Sequence, residues 1–218
     1  MIGFLHTAAV HQASFQGLLD ELAPGTPAEH LISERHLERA REHGLDEVTR
    51  AEVRRDLDQL AENGAEVIVC TCSSIAGLAE EYGAQAGGPL PVPVLRVDRP
   101  MAEAAVRAGR RIAIIATSAS SIDPTSQLLD ACARAAGREV ELVPAPCLSA
   151  WELFTAGDTD GYAREVATHA RRLATDVDVL VLAQASMAPA KDLLTDLPTP
   201  VLSTPRLGVE GALRHRAA

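Results

Sequence analysis

The sequence predicts an α/β protein made of two pseudo-symmetric lobes, each a four-stranded parallel sheet flanked by helices. Three observations lead there. Short apolar runs alternate with longer amphipathic segments along all 218 residues, which is how repeated βα units read. The hydrophobic content, 47%, suits well-cored domains and rules out a disordered chain. Third, the second half of the chain repeats the first.

That repeat rests on three blocks in the same order. VIVCTCSSIAGL (67–78) aligns with VLVLAQASMAPA (179–190), matching Val67 with Val179, Val69 with Val181, Ser74 with Ser186 and Ala76 with Ala188. The stretch from Ile2 aligns with the stretch from Ile112, pairing Thr7 with Thr117 and Leu18-Leu19-Asp20 with Leu128-Leu129-Asp130. PVLRVDRPMAEAA (93–105) aligns with PVLSTPRLGVEGA (200–212). The three offsets nearly agree, so one duplication accounts for all of them.

Taken in order, strands are expected at 2–6, 28–32, 66–70, 93–97, 111–116, 139–143, 178–183 and 200–203, with helices between. In RAEVRRDLDQLAENG (50–64), Val53, Leu57, Leu60 and Ala61 share a helical face and Gly64 marks the stop. Asp123 as N-cap and Pro124 at the first helical position open another helix. The Gly/Pro-rich GAQAGGPLPVP (83–93) reads as a mobile connection. The lobes are expected at 1–99 plus 206–218 and at 100–205. Open parallel sheets bind ligands beyond the carboxyl ends of their strands, so the site is expected in a cleft between the lobes, with Cys72 and Gln184 on opposite walls.

Composition removes several function classes. A formal net charge of −10 with one Trp, two Tyr and three Phe argues against nucleic acid as a partner. No apolar run approaches the ~20 residues needed to cross a bilayer, and no basic segment precedes an apolar stretch at Met1, so a cytoplasmic protein with no membrane partner is expected. Lys191 is the only lysine and reads as a solvated helix residue. The CTC arrangement lacks the spacer of zinc and dithiol motifs, so no metal is expected.

Of the four cysteines, Cys70, Cys132 and Cys147 read as small core residues. Cys72 differs, because strand end, helix start and repeat position coincide there. The helix beginning near Ser73 or Ser74 offers unpaired N–H groups to a thiolate, and His6 at a neighbouring strand end could pair with the thiol or take its proton. Thr7, Ser73, Ser74, Thr117, Ser118, Ala185 and Ser186 at strand ends are candidates for holding a carboxylate, and Arg96 and Arg99 add positive potential. Trp151 and Phe154 read as core or interface.

The duplicated halves, with Cys72-Ser73-Ser74 where one half's third strand ends, resemble the aspartate/glutamate racemase superfamily, whose members carry Cys-Asn-Thr in the first half and Gly-Cys-Thr in the second. The resemblance spans the chain. It implies two cysteines that flank an α-carbon and exchange its proton without a cofactor. The first role maps to Cys72. The second falls on Gln184, whose carboxamide cannot exchange a proton near neutral pH, and the next two family positions fall on Ala185 and Ser186. The family's activating acidic positions fall on His6 and Ala116. The implied function is a cofactor-independent racemase or isomerase of a small α-substituted carboxylate, with Cys72 as the single proton donor and acceptor and a homodimer as the expected assembly. Single-thiol alternatives are a decarboxylase, a cis–trans isomerase of an unsaturated diacid, or a carboxylate-binding protein without catalysis.

Overall fold

The structure is a computed structural model that describes residues 1–84 and 90–216. It divides the chain into two compact units, Met1–Val97 with Pro205–Ala218, and Asp98–Thr204. The expected mobile connection at 83–93 falls in part on residues 85–89, outside those described.

In the first unit, β1 (Ile2–His6), α1 (Val10–Leu22), β2 (Ala28–Ile32), α2 (Glu34–Glu42), α3 (Glu47–Glu62), β3 (Val67–Cys70), α4 (Ser73–Gly83) and β4 (Val94–Arg96) follow one another. Its sheet is parallel in the order β2-β1-β3-β4. In the second unit the elements are α5 (Arg99–Ala108), β5 (Arg111–Ala116), α6 (Ile122–Ala135), β6 (Glu141–Pro146), α7 (Ala150–Thr155), α8 (Thr159–Leu173), β7 (Val179–Leu182), α9 (Ala188–Asp192) and β8 (Val201–Ser203). Its sheet has the order β6-β5-β7-β8, again parallel. The final helix, α10 (Thr204–Arg216), returns the chain to the first unit at Pro205.

The repeat is visible residue by residue in the register. Ile2 pairs with Val67 and Ile112 with Val179, while Ile68 pairs with Val94 and Leu180 with Val201. Leu19 and Leu129, paired by the alignment, are both fully buried. The inner strands β1, β3, β5 and β7 are buried on both faces, as strands of parallel sheets covered by helices are, whereas the edge strands β2 and β6 are largely half-buried or exposed. In the first unit Leu5, Ile68 and Cys70 join Val53, Leu57 and Leu60 of α3 in one core, and in the second Ala113, Ile115, Leu180 and Leu182 join Val166, Ala167 and Ala170 of α8.

Beyond one-residue trims at the ends of β3, β4, β7 and β8, three boundaries depart from expectation for a local reason. The sixth strand runs 141–146, not 139–143, because Pro144 and Pro146 sit on an edge strand, where a missing N–H breaks no ladder bond. Helix α3 begins at Glu47, since the Asp46 side chain accepts from Thr49 N–H at 2.8 Å; Gly64, with φ of +94°, follows its end as expected. Helix α6 begins at Ile122 with Ser121 at the cap position, not Asp123; Pro124 is tolerated there because first-turn N–H groups have no partner within the helix.

Among the described residues no helix is long and apolar enough to cross a membrane.

Candidate active site

The chemistry-bearing side chains gather at the carboxyl ends of β1 and β3 in the first unit, and of β5 and β7 in the second. Leu5 is the partner of Cys70, so continuing the register beyond the strands sets His6 beside Thr71 and Thr7 beside Cys72. Alternate residues face opposite sides of a sheet. His6 therefore points to the α1 face, while Thr7 and Cys72 share the α3 and α4 face.

Cys72 is the N-cap residue of α4 and is buried. The Thr7 hydroxyl, the Ser74 N–H and hydroxyl and the Ile75 N–H lie around its sulfur and lower its pKa, but the side chain makes no cap hydrogen bond and Ile75 N–H donates to the Cys72 carbonyl at 3.2 Å. Burial pushes the thiol pKa up, and these donors pull it down without reversing the rise. The resting group is a neutral thiol. Ser73 and Ser74 form the first turn of α4, both buried, and Thr7 is buried at the end of β1.

His6 does not take the expected place beside the thiol. Its Nδ1 is 2.9 Å from Thr71 Oγ1 and its Nε2 is 2.8 Å from His30 Nδ1, so both ring nitrogens are engaged on the α1 face. The ring stacks near Phe4, Phe15 and His30. Gln16 fixes the tautomers: its NH2 donates to Asp20 at 2.7 Å, so its carbonyl accepts from His30 Nε2 at 3.0 Å. His30 Nδ1 then accepts from His6 Nε2–H, and His6 Nδ1 faces the Thr71 hydroxyl, which also lies 3.1 Å from the Leu5 carbonyl and shares its proton between the two. Burial, with the neighbouring His30 and His11, lowers the His6 pKa to about 3, and burial lowers that of His11 to about 4. These histidines are neutral at pH 7, and His6 acts as a tie between the two strand ends that carry Thr7 and Cys72.

In the second unit the same positions hold Ala116 and Ala183 on one face, Thr117 and Gln184 on the other. Gln184 precedes a 3-10 turn (Ala185–Met187), and Pro189 stands in the first turn of the short α9. The Gln184 carbonyl turns toward the end of β5, accepting from Thr117 N–H at 2.6 Å, the Thr117 hydroxyl at 2.9 Å and Ser118 N–H at 3.3 Å. Ser118 also meets Ser120 at 2.9 Å. Tyr162 of α8 places its phenol 3.2 Å from the Thr117 hydroxyl and 2.9 Å from that of Ser186. Ala185 is half-buried and presents no polar side chain.

Sequence reasoning missed Tyr162, which reads only as a core residue of an amphipathic helix. A tyrosine on an apolar face needs a partner for its hydroxyl, and that is the signal that could have found it. Phe154 lies against Tyr162 and Trp151 as an aromatic group on α7 and α8. Arg96 is buried at the end of β4, with its guanidinium in the space that a Cβ at Gly77 would approach to 3.5 Å.

Residues 2–212 match the family described as Asp/Glu/Hydantoin racemase. Among solved structures, the chain is similar to the aspartate racemase of Picrophilus torridus, with 11% identity and a TM-score of 0.74 over 99% of this chain and 94% of that one. Glutamate racemase isoform RacE1 from Bacillus anthracis matches with 16% identity and a TM-score of 0.69, covering 98% of this chain and 80% of that one. Allantoin racemase from Klebsiella pneumoniae matches with 16% identity and a TM-score of 0.67, covering 99% and 87%. At these identities the likeness to each structure is one of fold. No curated protein matches in sequence.

Proposed function

The chain belongs to the Asp/Glu/Hydantoin racemase family, and on that premise we propose that it is a cofactor-independent racemase-type isomerase moving the α-proton of an amino acid or related acid through Cys72. The observation that carries this reading is a buried thiol at the N-cap position of α4, where β3 ends, with Thr7, Ser74 and Ile75 around it lowering its pKa against burial. Polar hydrogens around a sulfur stabilise the charge it carries as thiolate.

In the proposed step the Cys72 thiolate takes the proton from Cα, and the electron pair of that C–H bond moves into the adjacent carboxyl or carbonyl group as an enediolate or enolate. Return of that proton to the same face gives exchange without inversion; inversion follows when water protonates the opposite face and the hydroxide left takes the proton from the S–H bond. Thr7, Ser73 and Ser74 in the first unit, and Thr117, Ser118, Ala185 and Ser186 in the second, are assigned to substrate binding. Gln184 stabilises by hydrogen bonding alone. Because burial holds the thiol up, the rate rises with pH through and beyond the ordinary thiol range.

A second reading draws on Gln184. With a carboxamide where a second proton-exchanging group would stand, Cys72 can serve as the lone proton donor to a carbanion left by loss of CO₂.

The test is deuterium incorporation at Cα when amino acids, hydantoins and substituted malonates are incubated in D₂O with the protein and with Cys72→Ser. Exchange at Cα of an unreacted substrate, lost in the variant, supports the racemase-type reading. CO₂ release with one deuteron in the product supports the second. No Cys72-dependent exchange or CO₂ release with any compound sinks both.

A further inference from the structure

The second unit carries a charged hollow at the end of its sheet away from Thr117 and Gln184. Its volume is about 570 Å³, and Arg110, Arg111, Arg134 and Arg138 line it around an apolar floor of Ala133 and Val140. All four arginines are exposed. Arg111 opens β5 and Thr117 follows its last residue, so the length of the strand, roughly 16 Å at the usual rise per residue, separates the two places. In a chain of net charge −10, four arginines around one hollow reverse the local sign.

Three carboxylates share the hollow and leave half of this charge unanswered. Glu141 stands in register with Arg111 and pairs with it at 2.9 Å. Glu139 reaches Arg110 only at 3.5 Å, with side chains 94% and 74% exposed, where water screens most of the attraction. Asp130 pairs with no arginine, and among the described residues neither Arg134 nor Arg138 has a carboxylate partner. Arg134 lies in the last turn of α6, whose carboxyl end favours a cation. Arg138 lies beyond that turn, past Gly137, and the helix does not account for it. The backbones beneath these side chains are pinned. Asp178 Oδ2 accepts from the Arg110 and Arg111 N–H groups at 2.8 and 2.9 Å, and the Arg110 carbonyl accepts from Glu141 N–H at 2.7 Å. Arg138 N–H donates to the Ala133 carbonyl at 2.9 Å across a turn in which Gly137 has φ of +61°.

We infer that this hollow binds an organic phosphate, its anionic end on Arg110, Arg134 and Arg138 and its uncharged part over Ala133 and Val140. A guanidinium offers two parallel N–H groups to one oxyanion, and a phosphate group, with close to two charges and three terminal oxygens, engages more than one such fork. A hollow of this volume falls within the range of small-molecule sites and holds more than a bare phosphate. The inference goes beyond the racemase-type reading and does not depend on it, since none of these residues lies at the strand ends that carry Cys72 and Gln184.

The experiment is calorimetry at about 50 mM ionic strength, with ADP, inorganic pyrophosphate and adenosine as probes. ADP is expected to bind, pyrophosphate to bind about tenfold more weakly for want of the apolar contact, and adenosine to show no binding. Added salt should weaken ADP binding steeply. Arg134→Gln and Arg138→Gln, both at exposed positions, should each weaken ADP about tenfold, the loss of one charged hydrogen bond, and together about 100-fold. Arg164→Gln removes the same charge from an exposed position of α8 outside the hollow and should leave ADP binding unchanged. No saturable binding of ADP, pyrophosphate or adenosine binding as tightly as ADP, equal weakening in Arg164→Gln, or full affinity in the double variant would overturn the proposal. Cys72-dependent exchange scores the racemase-type reading separately, so the two fail independently.

Discussion

The two units share strand order and register yet solve the same corner of the fold in opposite ways. In the first, Cys72 sits buried at the N-cap position of its own helix, α4, with Thr7 beside it. In the second, the 3-10 turn and Pro189 displace the helix start, and Gln184 turns back onto the end of β5. Behind each pair, the strand ends are tied by His6 and Thr71 in one unit and packed by Ala116 and Ala183 in the other. A duplicated scaffold preserved its apolar register while the polar groups at its strand ends diverged. One copy ends its strand in a thiol, the other in a carboxamide held by the Thr117 and Ser118 N–H groups.

Exchanging equivalent residues breaks this comparison most sharply. His6→Ala, which installs the residue found at the equivalent position, removes a buried ring and strands the His30 ring nitrogen, while the Thr71 hydroxyl keeps its bond to the Leu5 carbonyl. It should destabilise by about 2–5 kcal/mol, read as a shift in urea midpoint at constant slope. The reciprocal Ala116→His overpacks a fully buried site and should cost about 1–3 kcal/mol in the same assay.

Acid stability comes next. His6 and His11 have folded pKa values lowered from 6.5 to about 3 and about 4, so the unfolded chain binds protons that the folded chain refuses. Stability contributed by these neutral histidines is complete above pH 6.5 and is lost as pH falls toward about 3. Urea midpoints should fall across that window, and His6→Phe, which keeps an aromatic ring beside Phe4, should flatten the slope.

The smallest effect separates the two threonines. Thr7→Val removes a hydroxyl that lowers the Cys72 pKa and should raise the thiol pKa further in alkylation-rate titrations. Thr117→Val, at the equivalent position of the other unit, should leave that titration unchanged.

The fold was legible because a parallel strand buried on both faces must be apolar, and the duplication wrote that requirement twice at nearly constant spacing. Pro144 and Pro146 hid the end of β6, since nothing local says that a strand lies at an edge. Cys72 was legible as a position, being the residue between an apolar run and a helix start. The partnership of His6 was not, because it depends on pairing Leu5 with Cys70, which sends adjacent residues to opposite faces. The polarity of Gln184 was hidden for a like reason: it follows from Thr117 and Ser118 N–H groups brought from another strand.

The proton-transfer role of Cys72 is tested most directly by recording, on one pH scale, the alkylation rate of Cys72 and the rate of deuterium incorporation at Cα. The account predicts that both rise together with a single apparent pKa above the ordinary thiol value, and that Cys72→Ser loses about 10²–10⁴-fold in exchange. Exchange that persists in Cys72→Ser, or that follows a pKa unrelated to the thiol, would contradict it.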